Sequence, residues 1–281
     1  MRATTAVVAF IGCGGETLPP DTGGGSQLMD ACAEAASLET ALIADFEAIP
    51  VVNWFASNDM TPGGVVEPAI LAGSPLEAPK CATDATAGSA FHVRAIGFTA
   101  YGYSFGFNGL NAIPGAGAAI YFDAAAWTGV SMWVRKGSPD SNSSIFASVS
   151  DRFTDPAGDF LGLFSEEESA QLLAPNQCPT DQAMGAGCYC NFNAVDVDNN
   201  GMTDPLLSQC DRFGAGIGIA TEWRFFKVPF ARMRQRAYGR PSALSQPDSA
   251  ILGLDIGLDG ENWDFWIDDI AFYRDAVAVP Q

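Results

Sequence analysis

Residues 263–275 read WDFWIDDIAFYRD. Aromatic and β-branched residues crowd this stretch as in a buried strand, yet two adjacent aspartates, Asp268 and Asp269, stand in its middle. Side chains alternate across a strand, so regular alternation puts Trp266, Asp268, Ile270 and Phe272 on one face and Ile267, Asp269, Ala271 and Tyr273 on the other. One aspartate must then point inward unless the strand is bulged. A buried carboxylate needs a cation or several hydrogen bonds.

Working outward, the same texture recurs along the chain: ALIADFE (41–47), SAFHVRAIGF (89–98), YSFGFNGL (103–110), AIYFDA (119–124), GVSMWVRK (129–136), SSIFASVSDRF (143–153), EWRFFKVPF (222–230) and ILGLDIGL (251–258). Each is short, rich in Val, Ile or aromatics, and bounded by turn residues. Many short strands without a sustained helical period predict an all-β sandwich or barrel. Two short helices are expected, in LMDACAEAASLE (28–39) and SEEESAQLLA (165–174).

Alternation also sorts the strands. In 129–136, Met132, Val134 and Lys136 share one face and Ser131, Trp133 and Arg135 the other, and either face suits the core. In 222–230 both faces are partly apolar, as when a strand packs a core on one side and lies under a groove or loop on the other; Pro229 marks an edge or a strand end. In 251–258, Leu252, Leu254, Ile256 and Leu258 form an apolar face, while Gly253, Asp255 and Gly257 form a small polar one facing a ligand or solvent.

Composition narrows the function. The 281 residues are 48% hydrophobic, ample for a sizeable core. Lys and Arg number 14 against 33 Asp and Glu, a net charge of −19, which sets the chain as a whole against nucleic-acid backbones and anionic lipid surfaces. Such a balance suits an extracytoplasmic protein, a calcium binder, or a binder of neutral ligands such as sugars.

The first residues, MRATTAVVAFIGCGG, order a positive charge at Arg2, an apolar run and a small residue before Cys13, the pattern of a secretory signal. Gly12-Cys13 resembles the lipobox of bacterial lipoproteins, which implies a cleaved leader (1–13) and acylation of Cys13; Phe10 departs from the usual leucine. By the same resemblance, Gly14 rather than an aspartate favours the outer membrane of a Gram-negative cell. Residues 14–40 then read as a flexible tether and 41–275 as the folded domain. Six cysteines remain: Cys32, Cys81, Cys178, Cys188, Cys190 and Cys210. Complete pairing fits an oxidising compartment, with the last four in a long disulfide-stapled loop insertion rich in Asn, Asp, Gly and Pro. A zinc site competes poorly, because CYC is too tight and the only histidine, His92, is far off in sequence.

LIADFE, GSAFHVRAIGFTAYGYSFGFNG, YFDAAAWTGVSMWVRKG, TEWRFFKVPFARMRQRAYG and DFWIDDIAFY occur in the order seen in jelly-roll carbohydrate-binding modules of the galactose-binding-like superfamily. The set resembles in particular the domains of lipoproteins from predatory and soil Gram-negative bacteria. The resemblance spans about residues 41–275 and implies an antiparallel β-sandwich of jelly-roll type that binds carbohydrate. In such modules a carboxylate on the last strand and another on the first, with backbone carbonyls, often hold a structural calcium. Asp269 matches the last strand, and Asp45 and Glu47 the first, so that the two strands lie side by side. A second calcium candidate is DVDNNGMTD (196–204), with Asp196, Asp198, Asn200 and Asp204 at the first, third, fifth and ninth positions of a calcium loop and Gly201 at the turn; Leu207 replaces the glutamate of an EF-hand, and an Asx-rich turn is the other reading.

Sugar binding needs aromatic faces and planar polar groups. Tyr101, Tyr103, Trp133, Arg135, Trp223 and Asp255 are the candidates that alternation leaves off an obvious aliphatic face. His92, within an apolar strand and without a nucleophile motif, reads as a packed core or edge histidine; no GxSxG, HExxH or phosphate-binding glycine loop occurs. The expected function is non-catalytic carbohydrate binding. A structural or adhesion role through protein contacts is the alternative, and a glycoside hydrolase or polysaccharide lyase the third.

Overall fold

A computed structural model describes residues 17–18, 26–47, 54–58, 64–67, 73–81, 83–84, 86–97, 103–108, 122–151, 153–154, 165–171, 212–235, 246–248, 251–258 and 262–275. The candidate residues Cys13, Tyr101, Cys178, Cys188, Cys190, Asp196, Asp198, Asn200, Asp204 and Cys210 lie outside them.

In chain order the elements are β1 (Thr17–Leu18), α1 (Ser26–Ser37), β2 (Leu38–Ala44), β3 (Trp54–Asn58), β4 (Val65–Glu67), β5 (Gly73–Pro75), β6 (Ser89–Ile96), β7 (Tyr103–Asn108), β8 (Gly129–Lys136), β9 (Ser144–Asp151), α2 (Glu166–Gln171), β10 (Phe213–Gly218), β11 (Arg224–Pro229), β12 (Arg234–Gln235), β13 (Ile251–Leu258) and β14 (Asn262–Asp275). One sheet runs β1-β10-β9-β13-β7-β3 with β12 beside β10; the other runs β11-β8-β14-β6-β4 with β2 beside β14 and β5 beside β6. From β6 to β9 each strand switches sheet, and β11, β13 and β14 do so again, the alternation of an antiparallel jelly roll.

Alternation explains the core between the sheets. Phe91, Val93 and Ala95 of β6, Val130, Met132 and Val134 of β8, and Trp263, Phe265 and Ile267 of β14 face Ile145, Ala147 and Val149 of β9 and Leu254 and Ile256 of β13 in one apolar cluster. Phe265 and Ile267 are fully buried, and Phe265→Ala is expected to cost about 3–5 kcal/mol.

β14 resolves the puzzle of its two aspartates by bulging. Asp268 pairs with Trp133 of β8, but the next paired residue, Ala271, meets Ser131, so β14 carries one extra residue there. Asp269 takes that turn at φ 46°, in the left-handed region that Asp tolerates better than most side chains. The shift resets the phase. Trp263, Phe265 and Ile267 face the core before it and Ile270 and Phe272 after it, whereas regular alternation had grouped Trp266 with Ile270 and Phe272. Along its other edge β14 pairs first with β6, through Ile267, and then with β2, from Ile270. The first and last long strands thus lie side by side, as expected.

Sequence patterns placed β8 and β13 to the residue and missed β10, because Gly214, Gly216 and Gly218 dilute its strand signal while Ile217 still fills the core. Pro229 ends β11, an edge strand. α2 starts with a capping box: Ser165 N–H donates to Glu168 Oε2 (2.8 Å) and Glu168 N–H to Ser165 Oγ (3.1 Å). The stretch read as a tether contains α1, whose Cys32 is disulfide-bonded to Cys81 and whose Glu34 pairs with Lys227 of β11. Ordered structure fastened to the sandwich therefore begins before residue 41.

Candidate functional site

The outward face of the β11-β8-β14-β6-β4 sheet is built in rows that cross the strands. Where β8, β14 and β6 run together, Arg135, Trp266 and His92 stand directly opposite one another in register. Their neighbours along each strand, Val134, Ile267 and Phe91, point into the core, so these three point out. The Trp266 and His92 rings stack at 3.9 Å between centroids and 5° between planes. Arg135 fills the other side of Trp266, its Cζ 5.0 Å from the ring centroid, and also lies 5.3 Å from the centroid of Trp223, just before β11. The outcome is a continuous stack, Trp223, Arg135, Trp266 and His92, none of it fully buried.

A polar row borders the stack. Asp264 of β14 stands opposite Arg94 of β6, which stands opposite Glu67 of β4. The Asp264 carboxylate is 2.8 Å from His92 Nε2 and lies against Gly137, where a methyl group would overlap it. Gly137 N–H donates to the Asp264 carbonyl at 2.8 Å. Only a glycine at 137 leaves the carboxylate room to hold His92 face-to-face on Trp266.

At the opposite end the face is closed. Trp133 is only 3% exposed and tilts against Phe225, 5.2 Å between centroids. Asp268, opposite Trp133, is fully buried. It accepts the Asp269 N–H (2.9 Å) on Oδ1 and pairs through Oδ2 with Lys80, whose Nζ also lies 3.0 Å from Asp269. Burial, then the charge of Asp269, push Asp268 up to about 7 against the pull of Lys80. Burial works to lower the Lys80 pKa, but the two carboxylates outweigh it and hold it above the ordinary range. The next residue, Cys81, is stapled to α1, which packs on β11 beside this end of the face.

That cluster answers the opening question about the aspartates, and the cation is a lysine. Asp269, Asp45 and Glu47, grouped by resemblance as calcium ligands, are otherwise engaged. Asp269 faces Lys80, Asp45 Oδ1 accepts from Glu47 N–H (3.2 Å), and Glu47 Oε1 accepts from Ser89 N–H (2.8 Å). Among the described residues no group of three or more His, Cys, Asp or Glu side chains is placed to hold a metal ion. The donor set does not fit calcium there.

The ligand candidates part company. Arg135 and Trp223 meet in the open stack, and Trp133 lies in the closed end. Asp255 is on the other sheet, between Gly106 and Ser148 in register. Tyr103 stands opposite Leu258 in register, on that same sheet. Trp266 and His92 were missed as ligand candidates. Regular alternation through the bulge put Trp266 on the face of Ile270 and Phe272, and the apolar neighbours of His92 suggested core; its alternation with Phe91 and Val93 was the signal that pointed outward.

With this geometry in view, solved structures offer likenesses. The family 11 carbohydrate-binding module of a cellulosomal cellulase of Clostridium thermocellum is 14% identical, with a TM-score of 0.43 over 84% of this chain and 94% of that one. The chain is similar in form to carbohydrate-binding modules. The same module in complex with a β-1,3-1,4-mixed-linked tetrasaccharide gives 14% identity and a TM-score of 0.44, over 83% of this chain and 94% of that one. An exo-β-agarase gives 8% and 0.39, over 85% of this chain and 25% of that one. No protein-family description and no curated protein matches the chain.

Proposed function

We propose that this protein is a non-catalytic carbohydrate-binding domain, held at the outer membrane of a Gram-negative cell by a lipid on Cys13. The observation that carries the binding reading is the open stack of Trp223, Arg135, Trp266 and His92 on one sheet face. Pyranose rings present C–H faces to aromatic rings and hydroxyls to planar polar groups, and the stack combines both. Trp266 is covered by His92 and Arg135, so the partly exposed Trp223 offers the main apolar contact. Arg135, His92 and Asp264 then address hydroxyls.

The test is a glycan-array screen of the protein made in an oxidising compartment. Saturable binding to one glycan class, lost in Trp223→Ala at an unchanged melting temperature, is expected. A blank array from folded protein overturns the binding reading. Labelled palmitate that enters the protein, but not Cys13→Ser, is the expected result for the lipid; equal labelling of both contradicts it.

A further inference from the structure

The stack holds a cation that has no counter-ion among the described residues. The chain has 33 acidic residues against 14 basic ones, and the described basic side chains find partners of two kinds: Lys136 and Arg234 bond to backbone or hydroxyl oxygens, and three others meet carboxylates. Lys80 pairs with Asp268 and Asp269, Lys227 with Glu34 and Asp275, and Arg274 with Glu39. Arg135 instead lies between two indoles, and its buried Nε has no hydrogen-bond partner among the described residues. Of the two acids that flank Trp266 along its face of β14, Asp264 is committed to His92 and Asp268 to Lys80. Arg94, exposed and opposite Asp264, adds a second guanidinium to the same face.

A guanidinium held between aromatic faces keeps its charge and is fixed in orientation, and its forked donors match a carboxylate or sulfate better than a hydroxyl. We infer that the ligand of this face is an acidic saccharide, a glycan whose sugars carry carboxylate or sulfate groups, with Arg135 as the residue that reads the anion. This rests on the carbohydrate-binding reading above and names its substrate class. The net charge of −19 then serves discrimination: polyanions without a sugar face to lay on Trp223 are repelled, and only a chain that satisfies both Arg135 and the indoles is retained.

The test is calorimetric titration of the intact protein with matched pairs: polygalacturonate and alginate, each beside its carboxyl-reduced form, and a sulfated galactan beside its desulfated form. The expected result is at least tenfold tighter binding of the charged member in one pair, the pair showing whether carboxylate or sulfate is read. Arg135→Gln should remove that preference, and Arg135→Lys should restore only part of it, because an ammonium lacks the fork. Equal affinity for charged and neutral members, or a preference for the neutral ones, overturns the inference and leaves carbohydrate binding standing. Binding of no glycan on the array or in the titrations by folded protein removes the underlying reading as well. The comparison of matched glycans uses the unaltered protein, so it decides the matter even if Arg135→Gln fails to fold.

Discussion

Lys80 and Arg135 serve the same outward sheet face under opposite electrostatic conditions. Lys80 enters from the loop before β6 and meets two carboxylates, one of them fully buried, next to a disulfide and a nearly buried Trp133. Arg135, opposite Trp266 and two residues along β14 from Asp268, meets two indoles and, among the described residues, no carboxylate. The first cation is spent inside the protein, on a bulge that lets both halves of β14 face the core. The second lies between aromatic rings on the open part of the face. Charge pairing separates the part of this face that holds the fold together from the part that can meet a ligand, although tryptophans and acids occur in both.

The comparison breaks most visibly at Lys80. Removing one partner of a buried ion pair strands the other charge, so Lys80→Met should cost about 3–5 kcal/mol at pH 8, read by urea denaturation. The same substitution at Arg135 should cost far less, since no buried carboxylate is stranded; equal losses would erase the distinction. The staple comes next. Cys32 and Cys81 are 49 residues apart, and replacing both by serine should remove about 4 kcal/mol by the loop-closure argument. A loss well under 1 kcal/mol would mean that the closed end holds without it.

A pH series sharpens the contrast. The Asp268 pKa is raised in the fold to about 7 from 3.8, so the native state holds that proton more tightly than the unfolded chain. Its stabilising contribution is complete below about pH 4 and is lost as pH rises through about 7, a decline on the order of 4 kcal/mol. Asp268→Asn should flatten that decline; an unchanged slope would assign it elsewhere. The smallest stability effect is expected at the open stack. Trp266→Ala, which leaves His92 and Arg135 without their shared ring, should cost only about 1–2 kcal/mol while weakening glycan binding at least tenfold. A large stability loss with binding intact would make Trp266 a fold residue.

The alternating strands were legible in the sequence, because periodicity and composition record which side of a strand is buried, and the pairing of β2 with β14 followed from the resemblance to jelly-roll modules. The bulge was legible only as a conditional: two aspartates in a buried strand demand either an inward charge or a shifted phase, and the chain uses both. Lys80 could not be read as the partner, since 188 residues separate it from Asp268 and nothing local marks it. That is also why calcium seemed the natural cation. Arg135 and Trp223 were singled out because alternation excluded them from an aliphatic face, and the structure brings the two together. Trp266 was hidden by the bulge, which inverts the phase two residues after it, and His92 by its apolar neighbours.

The most direct test of the open stack as the binding face is to follow the indole N–H resonances of the six tryptophans by NMR while a bound glycan is titrated in. The account predicts that Trp223 and Trp266 shift with the binding curve, while the buried Trp133 and Trp263 stay still. Saturable binding that leaves Trp223 and Trp266 unmoved would contradict it and send the search to the opposite sheet, where Asp255 stands between Gly106 and Ser148.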